Sequence, residues 1–253
     1  MSVSPASGFP FVNAKVPDAP AIRRFQVYGE RCSGTNFLIK LMERNVTSAA
    51  FTEAFGFKHW FVPDDLTLPA DTLGLVIARE PHEWLQSLHE KAWHHPPEIA
   101  ALPFSDYIRH EWVCLWDDPW LEVGPDDPRW MTEMMHERHP ATGERVADAL
   151  AIRRLKAENF AGLGARSPAW AALRTEDLQR DPRGFLNALG RWGIACGPYD
   201  AVTTYKGEGG EAYVPKMRPP LSAEDAAWVR DRLDPQAEGL LGYGWAGFTP
   251  AGL

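Results

Sequence analysis

The feature that most constrains the fold is a short apolar run followed directly by a glycine-spaced loop and an amphipathic segment. Arg24–Tyr28 predicts a β-strand, and residues 36–45 place apolar side chains at helical spacing. Between them, Gly29 and Gly34 have the GxxxxG spacing of a phosphate-binding loop. Such a loop offers an anion the unpaired N–H groups and the positive dipole end of the following helix. The sequence therefore predicts an anion-binding turn between a strand and a helix.

The end of this loop differs from the loops that hydrolyse nucleotides. In those loops a lysine and then a serine or threonine follow the second glycine, whereas Thr35 and Asn36 stand there in this chain. The lysine would contact the terminal phosphates, and the hydroxyl would hold magnesium. We therefore expect anion binding without metal-assisted nucleotide hydrolysis.

Strands and helices alternate along the rest of the chain. Strands are predicted over residues 55–61 and 169–174, and Thr72–Ala78 predicts a buried strand because its side chains are almost continuously apolar. Helices are predicted over residues 81–94, 104–116, 145–163, 182–192 and 222–233, the last with Ser222 as its N-cap. This alternation predicts an α/β fold with a mostly parallel sheet.

The predicted domain organisation is simple. Residues 1–21 contain four prolines and predict a loosely ordered N-terminal arm. Residues 22–253 predict a single domain, since this length is ample for one buried core. Within it, residues 117–140 are rich in proline, aspartate and tryptophan and predict an irregular excursion, and the glycines of residues 207–210 predict a mobile loop.

Composition and charge narrow the range of partners. A net charge of -8 argues against a general nucleic-acid or anionic-membrane binder, so an anionic ligand must be held by a local basic site. The three cysteines form no CxxC pair, which favours a reducing compartment. No signal-like N-terminal pattern and no apolar run of membrane-spanning length is present. We expect a cytoplasmic protein that neither binds nucleic acid nor inserts into a membrane.

Polar residues follow the predicted strands where a ligand would bind. Lys58 and His59 lie near the end of the strand predicted over residues 55–61, and Arg79 follows the buried strand directly. In doubly wound sheets, ligands gather beyond the carboxyl ends of the strands. Ser87 lies in the next helix, eight residues after Arg79, and the pair matches an arginine and a hydroxyl that hold a phosphate.

Several segments resemble the cytosolic and bacterial sulfotransferases that use 3′-phosphoadenosine 5′-phosphosulfate (PAPS). The stretch from Arg31 to Leu38 (RCSGTNFL) is similar to that family's 5′-phosphosulfate loop, and Arg79 with Ser87 matches its 3′-phosphate motif. Lys58–His59 is similar to a shortened form of the segment that carries the family's general base, and weaker similarities cover residues 173–182 and 205–210. The resemblance implies a three-layer, P-loop sulfotransferase-like fold.

The resemblance also implies roles for individual residues. His59 is the implied general base, and Lys58 or Arg31 would help to stabilise charge on the leaving phosphate. The residues implied to bind PAPS, or its product 3′-phosphoadenosine 5′-phosphate (PAP), are Arg31, Cys32, Ser33, Gly34, Thr35, Asn36, Phe37, Arg79, Ser87, Lys206 and Gly207. The acceptor would be a hydroxyl or amine of a small molecule or glycan, and no metal is implied. Cys32 departs from the family pattern, because it stands at the loop's basic position.

Other interpretations of the same residues stay open. A nucleotide or small-molecule kinase is one alternative, against which Thr35 and Asn36 count; a non-catalytic PAP-binding protein is another, which Cys32 favours. Individually, Cys32 is either an activated nucleophile or a packed thiol. Arg79 alone would often be a salt-bridge partner, and His59 alone a half-buried histidine.

Two further groups of residues, one basic and one aromatic, are explained by the structure of the fold as readily as by function. Arg153, Arg154 and Lys156 form a basic stripe that predicts a solvated helix face. The chain has eleven tryptophans, several of them in the middle segment where an acceptor site would form. Aromatic platforms suit sugars or aromatic acceptors, although core packing explains most tryptophans equally well.

Overall fold

The computed structural model describes residues 8–118, 121–204, 210–212, 214, 216 and 218–244. In this part of the chain, five strands form one mixed sheet in the order β1-β5-β4-β2-β3. Neighbouring strands are parallel except β1, which pairs antiparallel with β5. The strands are β1 (Asn13–Lys15), β2 (Arg24–Tyr28), β3 (Ala50–Phe51), β4 (Thr72–Ala78) and β5 (Trp170–Arg174). The predicted α/β fold with a mostly parallel sheet is confirmed.

Helices alternate with the strands and flank the sheet. Those of the described residues are α1 (Thr35–Asn45), α2 (Pro81–Glu90), α3 (Pro97–Ala100), α4 (Phe104–Arg109), α5 (Ala149–Arg166), α6 (Thr175–Arg180), α7 (Pro182–Ala188), α8 (Ala223–Arg232) and α9 (Pro235–Leu240). Short 3-10 helices lie at Met135–Glu137 and Leu189–Trp192. Helix α8 begins as predicted, because the Ser222 hydroxyl accepts a hydrogen bond from the Asp225 backbone N–H at 3.0 Å.

The strands bury alternate side chains in apolar layers on the two faces of the sheet. Val27 and Leu75 belong to the cluster that includes the buried side chains of α1 and α7. Tyr28 and Val76, one residue further along each strand, belong to the cluster that includes Phe160 of α5. Because side chains alternate between the two faces of a strand, both faces of the central strands need a helical cover. Helices α1 and α5 provide it.

A further apolar cluster lies beside the sheet and carries the irregular middle segment. It joins Trp84 of α2, Ile108 of α4 and Leu150 of α5 with residues of the middle segment such as Val123 and Met134. The segment predicted as an irregular excursion therefore has a core of its own. Among the partly buried side chains that pack against this core is Cys32, in the loop after β2.

Three predicted elements are corrected by the structure. The strand predicted over residues 55–61 is wrong: Gly56 has φ 101°, which breaks an extended strand, and the neighbouring residues form turns. The helix predicted over residues 104–116 ends at Arg109, because the backbone of Trp112 pairs with Val146 instead. The helix predicted over residues 81–94 ends at Glu90, ahead of His94, whose φ of 68° is left-handed.

The N-terminal segment is only partly the loose arm that its prolines predict. Of residues 1–21, the structure describes residues 8–21, and Asn13–Lys15 is the edge strand β1. Phe9 is buried and contacts the rings of Phe11 and Phe185. Burial of these aromatic rings outweighs the local preference of proline for irregular backbone.

Within the described residues, no helix combines the length and the apolar character that crossing a bilayer requires.

Candidate functional site

The loop between β2 and α1 has the close-packed geometry of an anion-binding turn. A β-carbon at Gly29 would overlap the carbonyl oxygen of Ile77 and lie 2.8 Å from Ser33 Oγ, so only glycine fits there. Gly34 has φ 92° and Cys32 has φ 64°, both left-handed. Left-handed residues of this kind occur in the backbone nests whose N–H groups converge on anions. The glycine spacing seen in the sequence thus serves a tight turn into α1.

Helix α1 begins where this loop ends, and its amino end has no side-chain cap from the described residues. Gly34 is the N-cap residue, and no side chain hydrogen-bonds the first turn among the residues that the structure describes. Thr35 is buried, whereas Asn36 and Phe37 are half-buried. Because the first N–H groups of a helix have no intrahelical partner, this end attracts a negatively charged group. The predicted loop residues Ser33 to Phe37 therefore lie together at one helix terminus.

The loop is held in place by the segment that follows β5. The Thr175 hydroxyl lies within hydrogen-bond reach of the carbonyl oxygens of Ser33 and Ala78, at the ends of the loop and of β4. Its neighbour Glu176 accepts a hydrogen bond from the Glu80 backbone N–H at 2.9 Å. No sequence pattern pointed to a role for Thr175, although it lies in the segment 173–182 that resembles the sulfotransferases. Its hydroxyl thus links the loop after β2 to the end of β4.

His59 and Lys58 reach the loop through a turn, not from the predicted strand. The Gly29 backbone N–H donates to the Lys58 carbonyl at 3.0 Å, and His59 Nδ1 lies 2.7 Å from the Gly29 carbonyl oxygen. A carbonyl only accepts, so Nδ1 carries the proton and Nε2 is the basic nitrogen of the neutral ring. Nε2 has no hydrogen-bond partner in the described part of the chain. Lys58 lies 3.9 Å from a carboxylate oxygen of Glu53.

The pKa of His59 is lowered well below its ordinary value. Burial is the main cause, since the side chain is 8% exposed, and the positive charges of Arg31 and Lys58 add to it. The ring is therefore neutral at pH 7. A neutral ring with a free Nε2 has the protonation state that a general base requires.

Arg79 and Ser87 meet at Cys32, as a shared phosphate site requires. Arg79 Nη1 lies 3.5 Å from the Cys32 carbonyl oxygen, and the Ser87 side chain is near enough to the Cys32 thiol to lower its pKa. The thiol itself lies 3.7 Å from the Lys91 carbonyl oxygen. Arg79 follows β4 directly, and Ser87 is buried in α2. The two residues predicted to hold a phosphate thus lie next to the loop predicted to hold another.

Cys32 itself has the character of a packed thiol. Burial raises its pKa to about 11, despite the Ser87 side chain and the nearby charges of Arg31, Arg79 and Arg218. The thiol is therefore protonated at neutral pH, and a protonated thiol is a poor nucleophile. Of the two interpretations of Cys32, the structure favours the packed one.

Arg218 is a basic residue of this region that the sequence analysis missed. Its side chain is 8% exposed, and its charge acts on the Cys32 thiol together with that of Arg79. Glu83 Oε2 accepts from both guanidinium groups, at 2.8 Å from Arg218 and 3.3 Å from Arg79. Arg218 lies 139 residues after Arg79 in the sequence, and no local pattern links it to α2.

Arg31 is turned away from the start of α1 into a buried ion cluster. Its Nη1 lies 2.6 Å from Glu137 Oε2, and the other oxygen of Glu137 accepts from Lys156 Nζ at 2.9 Å. Trp112 Nε1 also donates to Glu137, at 2.9 Å. The three ionised side chains are at most 2% exposed. The Arg31 contact with a ligand stays a prediction, and the present geometry gives this side chain a structural partner.

A second buried ion cluster lies behind the loop. Arg153 is fully buried and donates to Glu30 at 2.8 Å and to Glu238 at 2.6 Å. Burial, followed by the repulsion from Glu238, raises the pKa of Glu30 to about 7 against the attraction of Arg153. The prediction that Arg153 and Lys156 line a solvated basic face is wrong, because both pair with carboxylates in the interior.

Aromatic side chains stand next to His59. The Phe57 ring contacts the rings of both His59 and Trp60, at centroid distances of 5.1 and 5.4 Å. Trp60 stacks on His136 at 4.0 Å and meets Trp116 edge-on at 5.6 Å. Phe57 therefore links the candidate base to a cluster formed by Trp60, Trp116 and His136. Such a surface suits a sugar or an aromatic acceptor.

The structure therefore brings together most of the residues predicted for the site. Cys32 of the loop lies beside Arg79 and Ser87, and His59 contacts the same loop through Gly29. Lys206 and Gly207, predicted to close over the nucleotide, lie outside the described residues. The mobile loop predicted over residues 207–210 is described only at Gly210.

Comparison of the chain with protein-family models, with curated proteins and with solved structures gives no match. The functional assignment therefore depends on the geometry of the site and on the motifs in the sequence.

Proposed function

We propose that the chain is a sulfotransferase that moves a sulfuryl group from PAPS to a hydroxyl or amine of a small molecule or glycan. The observation that carries this proposal is the meeting of two anion-binding features at Cys32. One is the uncapped amino end of α1. The other is the pair of Arg79, whose Nη1 lies 3.5 Å from the Cys32 carbonyl oxygen, and Ser87, which acts on the pKa of the Cys32 thiol.

These two features fit the chemistry of PAPS, which carries a 5′-phosphosulfate and a separate 3′-phosphate. The backbone N–H groups after Gly34 and the helix dipole would hold the 5′-phosphosulfate and stabilise the negative charge that grows on the leaving phosphate. Arg79 and Ser87 would hold the 3′-phosphate by a charged hydrogen bond and a hydroxyl. Phe37, half-buried in the first turn of α1, would stack near the adenine.

His59 is the residue that would take the acceptor's proton. PAPS supplies the sulfuryl group: a bond forms between its sulfur and the acceptor oxygen or nitrogen as the bond between sulfur and the phosphate oxygen breaks. The displaced proton would move to His59 Nε2, because Nδ1 is committed to the Gly29 carbonyl. The aromatic rings of Phe57, Trp60 and Trp116 would form one wall of the acceptor site.

One observation favours a second candidate, a protein that binds PAP without catalysis. Cys32 stands at the loop's basic position, and the neighbouring cation Arg31 is engaged by Glu137. Without a cation at the bridging oxygen, the leaving phosphate would receive less stabilisation in the transition state. This candidate shares the nucleotide site with the first and differs only in the absence of transfer.

The first test is calorimetric titration of the purified chain with PAP, with 5′-AMP, and with ATP and magnesium. Tight binding of PAP but not of 5′-AMP is expected, since 5′-AMP lacks the group that Arg79 would hold. A preference for ATP would replace the proposal by the kinase alternative, and binding of none would contradict it.

Two variants refine the test. Arg79→Ala should weaken PAP binding about 10- to 100-fold, because a hydrogen bond to a charged group contributes about 1.5–3 kcal/mol. Arg44→Ala, at the other end of α1, is the matched control and should leave PAP binding unchanged. His59→Ala should bind PAP almost normally and lose transfer from PAPS to acceptors. Unchanged transfer in His59→Ala would remove His59 from the mechanism, and PAP binding without transfer in the wild type would favour the non-catalytic candidate.

A further inference from the structure

The face of α2 beside the proposed 3′-phosphate site carries two carboxylates and one hydroxyl. Glu83, Ser87 and Glu90 are spaced by four and three residues, so they share one side of the helix. Glu83 Oε2 accepts from Arg79 and from Arg218. Glu90 Oε2 accepts from Arg218 at 3.2 Å and from Lys216 at 2.9 Å. Carboxylates of α2 therefore engage both guanidinium groups next to Cys32.

Arg218 is placed to do more than form a surface ion pair. It is more than nine-tenths buried, and its Nε has no hydrogen-bond partner in the part of the chain that the structure describes. A buried guanidinium N–H without a partner is costly, so a ligand oxygen that accepts from it would be favoured.

The position of Glu83 matches the position that a phosphate would take between the two arginines. Its Oε2 lies within 3.3 Å of a nitrogen of each guanidinium group. A carboxylate and a phosphate both accept charged hydrogen bonds from arginine with similar geometry. Glu83 is 38% exposed, so it is free to rotate towards solvent when another anion arrives.

We propose that Glu83 is a resident counter-anion of the nucleotide site, that Arg218 is a third phosphate-binding residue beside Arg79 and Ser87, and that a bound phosphate displaces Glu83. This inference rests on the proposed function, because it takes the phosphate to be the 3′-phosphate of PAPS or PAP. Glu83 and the phosphate would then compete for the two arginines. Breaking the contacts with Glu83 costs free energy, which lowers the affinity of the site for the nucleotide.

The experiment compares PAP and 5′-AMP binding by calorimetry in the wild type and in Glu83→Gln. Glutamine keeps the size of the side chain and removes its charge. Because the wild-type contact is partly exposed and screened, we expect PAP to bind about three- to tenfold more tightly to Glu83→Gln. Binding of 5′-AMP should stay unchanged. Glu43→Gln is the matched control, since Glu43 has a similar exposure of 36% and pairs with Lys40 at the far end of α1.

Arg218 variants complete the test. Arg218→Ala should weaken PAP binding at least tenfold and leave 5′-AMP unaffected, and Arg218→Lys should recover part of the loss. The inference is overturned if the wild type binds PAP and Glu83→Gln binds it no more tightly, or if Arg218→Ala and Arg218→Lys both bind it normally. Binding of PAP by Glu83→Gln but not by the wild type would support it. If neither binds PAP, the proposed function is overturned and this inference with it.

Discussion

Replacement of Glu137 should show how much the buried ion pairs behind the loop contribute to the stability of the fold. It is 1% exposed and holds two buried cations, Arg31 and Lys156, together with Trp112 Nε1. Glu137→Gln keeps the shape of the side chain but leaves both cations without their counter-charge. Breaking a buried ion pair from one side costs about 3–5 kcal/mol, because the remaining charge stays desolvated. For a chain of this length we expect the melting temperature to fall by about 6–20 °C.

Thermal unfolding followed by circular dichroism measures this change, with Glu43→Gln as the control. Glu43 forms an exposed pair with Lys40, so its replacement should cost no more than about 0.5 kcal/mol. A loss below about 1 kcal/mol in Glu137→Gln would refute the view that the cluster carries stability.

The pH dependence of this loss is a second check. Burial raises the pKa of Glu137, but the Arg31 and Lys156 charges outweigh burial and lower it to about 2. The stabilisation is therefore fully present above the unfolded value of 4.5 and is lost as the pH falls through about 2. The difference between wild type and Glu137→Gln should be the same at pH 6 and pH 8. A difference that shrinks at pH 6 would show that the carboxylate is not ionised there.

Three further predictions concern the neighbouring residues. Burial and the Arg31 charge lower the pKa of His95 to about 3. Below pH 6.5, therefore, His95 binds a proton in the unfolded chain but stays neutral in the folded chain. Stability should therefore rise from pH 5 to pH 7, and His95→Phe should reduce that rise by about 2 kcal/mol in urea unfolding. Since burial and Arg31 also lower the pKa of His59, bound PAP should raise it in an NMR titration; an unchanged pKa would place the ligand elsewhere. Gly29→Ala should destabilise the chain by about 1–3 kcal/mol and weaken PAP binding, whereas Gly124→Ala, with open space around it, should do neither.

The sequence was sufficient for elements whose signals are local. Strands β2 and β4 have the predicted bounds, because each is a short apolar run that ends directly before a glycine or before Arg79. Helix α1 begins one residue before the predicted start at Asn36. The convergence of the loop, Arg79 and Ser87 also followed from the sequence, since the carboxyl ends of parallel strands meet at one edge of a sheet.

Contacts between distant segments could not be predicted from the sequence. The pairing of Arg31 with Glu137 spans 106 residues, and that of Arg153 with Glu30 spans 123. The basic stripe on α5 was predicted to be solvated because no local pattern shows which carboxylates will be buried against it. His59 was predicted to reach the crevice from the end of a strand, whereas it contacts Gly29 from a segment of turns that begins near Gly56.

The charges around the loop after β2 divide between its two sides, and this division bears on catalysis. Behind the loop, Arg31 and Arg153 are buried and pair with carboxylates, which neutralise most of their charge. In front, the proposed nucleotide would meet the backbone N–H groups of α1 and the partly exposed Arg79. Backbone dipoles need no counter-charge, and in the proposed transfer they would not have to reorganise as charge moves from the sulfuryl group to the leaving phosphate. The front of the loop therefore suits a transferred group with a single negative charge better than a γ-phosphate, whose higher charge is normally met by a lysine and a metal ion.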